Sequence, residues 1–208
     1  MIRDGNNTLR LVVLASGSGR SLVNLDARIR KGRLNAAIIR VISSRSDAPV
    51  VARARERGLP VVVVERSGLD DQAFQRELTQ AVRGSPFDLA CMAGFLWLWR
   101  IPDDLIGRVI NMHPALLPDF GGVGMYGDHV HRAVLGAGCT ESGCTVHYCD
   151  NEYDHGPIIL QRRVAIPAGC TPEKLAELVF EQECAAYPEA LEILAERLGR
   201  RTIPDHHG

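Results

Sequence analysis

The chain has 208 residues, 46% of them hydrophobic, which suits one compact domain with a sizeable core. Its 24 Lys and Arg are balanced by 25 Asp and Glu, leaving a formal net charge of -1 with no basic block, so a nucleic-acid-binding surface has no compositional support. No stretch approaches the roughly 20 apolar residues that cross a bilayer, and the N-terminal apolar run is too short for a signal segment, so the expectation is a cytoplasmic protein acting on small molecules, with no nucleic-acid or membrane partner.

Short apolar, β-branched runs then alternate with amphipathic stretches. "LRLVVLA" (9–15), "AAIIRVIS" (36–43), "PVVVV" (60–64), "LACMA" (89–93) and "VINM" (109–112) read as buried strands. Between the first four, "SLVNLDARIRKG", "DAPVVARARERG" and "DDQAFQRELTQAVRG" read as helices ending at Gly, which easily takes the left-handed conformation that closes a helix. This alternation predicts an α/β fold, a mostly parallel twisted sheet with helices on both faces. After the Gly-rich loop "DFGGVGMYGDH" the pattern changes. "GCTVHYC" and "PIILQRRVAI", separated by "DNEYDHG", predict an antiparallel hairpin with a long tip, for a total of about seven strands. "TPEKLAELVFEQECAAYPEALEILAERLG" closes the chain as one or two helices, with Thr171 as N-cap, Pro172 at the first helical position and Pro188 expected to kink or restart it.

The six cysteines contain no C-x-x-C pair and read as buried thiols. The histidines show no H-E-x-x-H, and His129 with His131 forms an H-x-H pair without a third ligand nearby, so the pair reads as solvated or hydrogen-bonded and no metal is expected.

Two stretches carry chemistry. "SGSGRS" (16–21) follows the first strand and opens the first helix, where glycines admit close backbone approach and unpaired helix N–H groups attract an anion. It reads as a phosphate cradle or, more plainly, as a Gly-rich turn; the third glycine of G-x-G-x-x-G is missing, and no G-K-[ST] of a P-loop follows. The second stretch is "VINMHP". Asn111 and His113 lie two apart on a strand, hence on one face, at the carboxyl end where open parallel sheets bind ligands. An amide donor and an imidazole suit attack on a carbonyl, and Asp154, before "HGP", can orient or charge the imidazole.

In order and spacing, "ASGSG", "AGF" (93–95), "INMHPALLP" (110–118) and "YDHGPII" (153–159) resemble the phosphoribosylglycinamide formyltransferase family, across nearly the whole chain. The resemblance implies a single-domain, Rossmann-like formyltransferase fold over residues 1–208, its ribonucleotide-binding half at about 9–100 and its catalytic, folate-binding half at about 101–200. It implies formyl transfer from 10-formyltetrahydrofolate to glycinamide ribonucleotide in purine biosynthesis, by a monomer or homodimer that needs no metal. Asn111, His113 and Asp154 would be catalytic, with a protonated His113 stabilising the oxyanion and Asp154 raising its pKa. Ser18, Gly19, Arg20 and Ser21 would contact the phosphate and Glu183 the ribose hydroxyls. Leu96, Trp97, Leu98, Trp99, Asn111, Asp150, Asn151, Tyr153 and Asp154 would line the folate site. The chain departs from the family at Arg20 and Ser21, where Ser and Asn are commoner, at Asp71, where an Arg often serves the folate tail, and at both tryptophans, which could equally fill the core or a subunit contact.

Rival readings are the methionyl-tRNA and sugar formyltransferases and the formyltetrahydrofolate deformylase, which share the Asn-His-Asp logic. A NADP-binding oxidoreductase and a catalytically dead binding protein belong to other classes. The missing glycine disfavours the oxidoreductase, and the presence of all three reactive residues disfavours the dead protein.

Overall fold

The computed structural model describes residues 8–199; residues 1–7 and 200–208, which the single-domain expectation and the search for a signal segment include, lie outside the described residues. The strands are β1 (Leu9–Leu14), β2 (Ala36–Ser43), β3 (Val61–Val63), β4 (Leu89–Met92), β5 (Val109–His113), β6 (Glu141–Tyr148) and β7 (Ile158–Ala165). The helices are α1 (Arg20–Arg30), α2 (Pro49–Glu56), α3 (Asp71–Arg83), α4 (Asp128–Gly136) and α5 (Pro172–Arg197). The sheet runs β3-β2-β1-β4-β5-β6-β7, parallel from β3 to β5 and antiparallel across β5-β6-β7.

Alternation along β1 shows how the sheet is covered. Leu11 and Val13 pack with Leu22 and Leu25 of α1, Val50 and Val51 of α2, and Leu191 of α5, whereas Val12 and Leu14 pack with Phe74 and Leu78 of α3. Burial on both faces is why these strands read as continuous apolar runs. The chain winds outward from β1 to β3, then returns to place β4 beside β1, so the strand order reverses between β1 and β4. A crevice at such a reversal is where open α/β sheets hold ligands.

Two local features bear on the sequence expectation. Helix α4, which the sequence pattern does not announce, follows the Gly-rich loop with no side-chain cap at Gly127. Helix α5 starts as expected, with Thr171 Oγ1 accepting from Lys174 N, and is one helix that runs through Pro188 without restarting there. Proline has no N–H to donate to the carbonyl four residues back, and that Cys184 carbonyl instead accepts from Asn24 Nδ2 at 2.9 Å and Arg28 Nη2 at 3.2 Å on α1. Of the thiols expected to be buried, Cys91 and Cys144 are, while Cys139, Cys149, Cys170 and Cys184 are half-exposed. Among the described residues, no helix is long and apolar enough to cross a membrane.

Candidate active site

A cavity of about 810 Å³ opens over the carboxyl ends of β1, β4 and β5, within the range of small-molecule sites. Its walls come from the turn after β1, the 93–99 segment after β4, the end of β5, the 122–128 loop, the β6–β7 tip and α5.

At one end lies the 17–21 turn. Gly19 has φ 74, and a Cβ there would stand 2.7 Å from Val50 Cγ2, so the bend admits only glycine. Ser18, Arg20 and Ser21 line the cavity, and α1 begins at Arg20 with no side-chain cap on its first N–H groups. The Arg20 guanidinium forks onto Glu177 of α5 at 3.0 and 2.8 Å and lies over the Phe180 ring, 3.7 Å from its centroid. Glu183, one α5 turn on from Phe180, also lines the cavity; burial pushes its carboxyl up to about 7 against the opposing pull of Arg20.

At the strand ends, Asn111 and His113 project from one face of β5. Asn111 pairs across the sheet with His147 of β6, and its Nδ2 lies 3.2 Å from His147 Nε2 and 3.3 Å from Asp154 Oδ1. His147 Nδ1 donates to the Tyr148 carbonyl at 2.9 Å, which leaves Nε2 to accept from Asn111. His113 Nε2 donates to the Phe120 carbonyl at 2.8 Å, because a carbonyl oxygen only accepts, and Nδ1 faces Asp154 Oδ2 at 3.4 Å. That oxygen also accepts from Gly122 N at 3.0 Å. Phe120 and Asp154 are the two non-glycine residues with positive φ among the described residues, so backbone strain concentrates here. In the "DHGP" motif the glycine is needed for close approach, since a Cβ on Gly156 would sit 2.0 Å from the Tyr148 carbonyl oxygen.

Burial lowers the His113 pKa and outweighs the Asp154 charge and the Phe120 carbonyl, which both raise it. Burial also pushes Asp154 up, but the facing His147 and His113 rings and the Gly122 N–H together hold it below the usual carboxylate value. A neutral ring that donates through Nε2 therefore turns a bare Nδ1 toward a carboxylate, a gap shaped for one incoming proton.

The remaining expected residues divide. Leu96, Trp97, Leu98, Asp150 and Tyr153 line the cavity, with Leu96 and Trp97 43% and 41% exposed at its rim. The Tyr153 hydroxyl accepts from Leu98 N at 3.1 Å, joining the β4 segment to the β6–β7 tip. Trp99 borders the cavity but is 1% exposed and donates Nε1–H to Thr79, so it chiefly fills the core. Asn151 does not line the cavity; its amide is spent on both the N–H and the carbonyl of Ile101, and Glu152 lines the cavity instead. Asp71, at the family's departure, pairs with Arg100 at 2.7 Å.

Sequence reasoning missed two histidines at the cavity. His147 was signalled only by a polar ring inside the apolar strand "GCTVHYC". His131, expected to be solvated or hydrogen-bonded, is 5% exposed on α4 with Nδ1 unpartnered.

The formyl transferase family model matches residues 9–191. The chain is 35% identical over 193 residues to the chloroplastic phosphoribosylglycinamide formyltransferase of Arabidopsis thaliana, covering 90% of this chain and 65% of that protein, so it spans just under two thirds of that relative. It is 31% identical to the phosphoribosylglycinamide formyltransferase of Escherichia coli, covering 90% of this chain and 88% of that one. The crystal structure of glycinamide ribonucleotide transformylase 1 from Symbiobacterium toebii superposes with TM-score 0.85 at 35% identity, covering 97% of this chain and 93% of that chain. The chain belongs to the formyl transferase family and groups with its phosphoribosylglycinamide members.

Proposed function

We propose that the protein transfers a formyl group from 10-formyltetrahydrofolate to the amine of glycinamide ribonucleotide, a step of purine biosynthesis. The supporting observation is that one cavity joins three chemistries: an anion-ready turn at residues 17–21, an Asn-His-Asp cluster at a strand end, and an apolar rim of Leu96, Trp97 and Tyr153. They suit a ribose phosphate, a carbonyl under attack and the flat rings of a folate. The backbone of Gly19, with Ser18, Arg20 and Ser21, holds the phosphate, and Glu183 accepts from the ribose hydroxyls.

The neutral amine attacks the formyl carbon, forming a C–N bond while the carbonyl π pair moves onto oxygen. Asn111 Nδ2 and His113 Nε2 then donate to that oxygen. At rest His113 Nε2 sits on a neutral acceptor, the Phe120 carbonyl, and a charged acceptor binds it more strongly; Asn111 Nδ2 is shared between the His147 ring and the Asp154 carboxylate and turns from them to the developing charge. The surplus amine proton passes to His113 Nδ1, making an imidazolium between the oxyanion and the Asp154 carboxylate. Collapse re-forms the carbonyl and breaks the bond to the folate nitrogen, which takes the proton back. Because the acceptor brings its own nucleophile, no enzyme-bound formyl intermediate is required.

Mixing the protein with 10-formyltetrahydrofolate and glycinamide ribonucleotide should change the folate absorbance, and only when both are present. Release of formate without the acceptor would identify a hydrolase instead, and no change with either would overturn the proposal.

A further inference from the structure

Among the described residues that line the cavity, Arg20 is the one Lys or Arg, whereas Asp128, Asp150, Glu152, Asp154 and Glu183 bring carboxyl groups. A phosphate monoester, largely dianionic at neutral pH, therefore meets a wall that offers a single permanent cation, and that cation already has an anionic partner. Glu177 binds it end-on through both carboxylate oxygens, and Phe180 stacks beneath it. Glu177 is not itself part of the cavity wall. The two side chains are 40% and 58% exposed, so the pair is a solvated one and its exchange for another anion costs little.

We propose that Glu177 is a built-in competitor for the phosphate's cation. It holds the Arg20 guanidinium against Phe180 while the cavity is empty, a dianionic phosphate displaces it, and it thereby sets the affinity and selectivity for phosphorylated acceptors without touching them. The proposal rests on assigning the 17–21 turn to the phosphate. Arg20 suits the exchange because a guanidinium presents the same planar fork to a carboxylate and to a phosphate. The stacking on Phe180 keeps that plane fixed while the partner changes. The Arg20 hydrogen bond holds the Glu177 carboxyl below its usual value, so protonation does not release the cation at neutral pH and only a competing anion can.

The test compares Glu177→Gln, Arg20→Ala and the double variant in the full chain. KM for glycinamide ribonucleotide is measured beside KM for the folate, and the dissociation constant of ribose 5-phosphate is measured directly by calorimetry, a readout that does not depend on formyl transfer. Glu177→Gln should tighten ribose 5-phosphate and lower the ribonucleotide KM about three- to tenfold, from removal of one exposed ion pair and its repulsion of the dianion. Arg20→Ala should weaken both about tenfold or more. In the double variant the Gln should have no further effect, and the folate KM should hold throughout. If Arg20→Ala leaves ribose 5-phosphate binding unchanged, the phosphate assignment falls and the proposal with it. If Arg20→Ala weakens binding but Glu177→Gln does not tighten it, the competitor role alone is overturned.

Discussion

At the 17–21 end the cavity wall offers backbone N–H donors at an uncapped helix start and an exposed Arg20–Glu177 pair. At the β5 end, His113, His147 and Asp154 are nearly fully buried and, with Asn111, bond to one another and to the chain. The contrast is one of coupling. Solvated pairs exchange partners at little cost, so changes at the first end should be modest and confined to binding. Buried groups depend on each other for their charge and orientation, so a change to one at the second end is felt by the others.

The largest expected effect lies in the buried end. On the proposed chemistry, His113→Ala or Asp154→Ala should lower kcat by roughly 10²- to 10⁴-fold, and the double variant should lose little more because the two act as one unit. Multiplicative losses would show that the ends do not differ in coupling. The pH profile gives the sign independently. Since burial holds His113 below its usual 6.5, kcat/KM should be level around neutrality and fall only once the pH drops below that value. In Asp154→Asn the charge that raises the imidazole pKa is gone, so the acid limb should move to still lower pH. Movement to higher pH would overturn the assignment of Asp154 as the group opposing burial.

How much of this was legible in the chain follows the range of the interactions. The strands read clearly because burial on two faces makes continuous apolar runs, and Asn111, His113 and Asp154 could be gathered because a strand end and a D-x-G-P turn are local signals. Helix α4 was not, since it is short, uncapped and follows a glycine-rich loop, so its His129 and His131 drew attention as an isolated pair. The passage of α5 through Pro188 depends on Asn24, 160 residues from the Cys184 carbonyl it satisfies, and the Arg20–Glu177 fork spans 157 residues. His147 meets Asn111 only through the antiparallel register of β5 and β6. Asn151 and Glu152 are neighbours at a loop tip, and which of them faces the cavity is decided by whether Asn151 can reach Ile101.

Glu183 tests the boundary of the comparison, for it stands near the 17–21 end but is buried like the groups of the other. With its carboxyl raised from 4.5 to about 7, the folded protein binds a proton more tightly than the unfolded chain. Its contribution to stability is therefore present below pH 4.5 and lost as the pH rises through 7. Glu183→Gln should stabilise the ligand-free protein at pH 8 by an amount on the order of 2–3 kcal/mol, while the difference at pH 5 should be small. Urea unfolding at the two pH values measures both. Equal differences would mean that Glu183 is as solvated as Glu177 and that the buried character stops at β5.

The smallest effect, and the sharpest probe of coupling, concerns His147. Its Nδ1–H is fixed on the Tyr148 carbonyl, so Nε2 can only accept from Asn111 unless the ring takes a second proton. On the proposed chemistry it is a positioning residue, fixing the Asn111 amide so that its nitrogen is the group available to the oxyanion. Removing a single neutral hydrogen bond costs about 1 kcal/mol, so His147→Leu should lower kcat only roughly five- to tenfold. His147→Gln, whose carbonyl can accept in place of Nε2 but cannot carry a proton, separates the two ways the ring could act. If His147 positions Asn111, Gln should recover most of the lost rate; if it carries a proton in the reaction, Gln should be as slow as Leu. Unfolding measurements on both variants exclude a loss of fold as the cause, since Gln and Leu remove the same bond to Tyr148 and only the acceptor toward Asn111 distinguishes them.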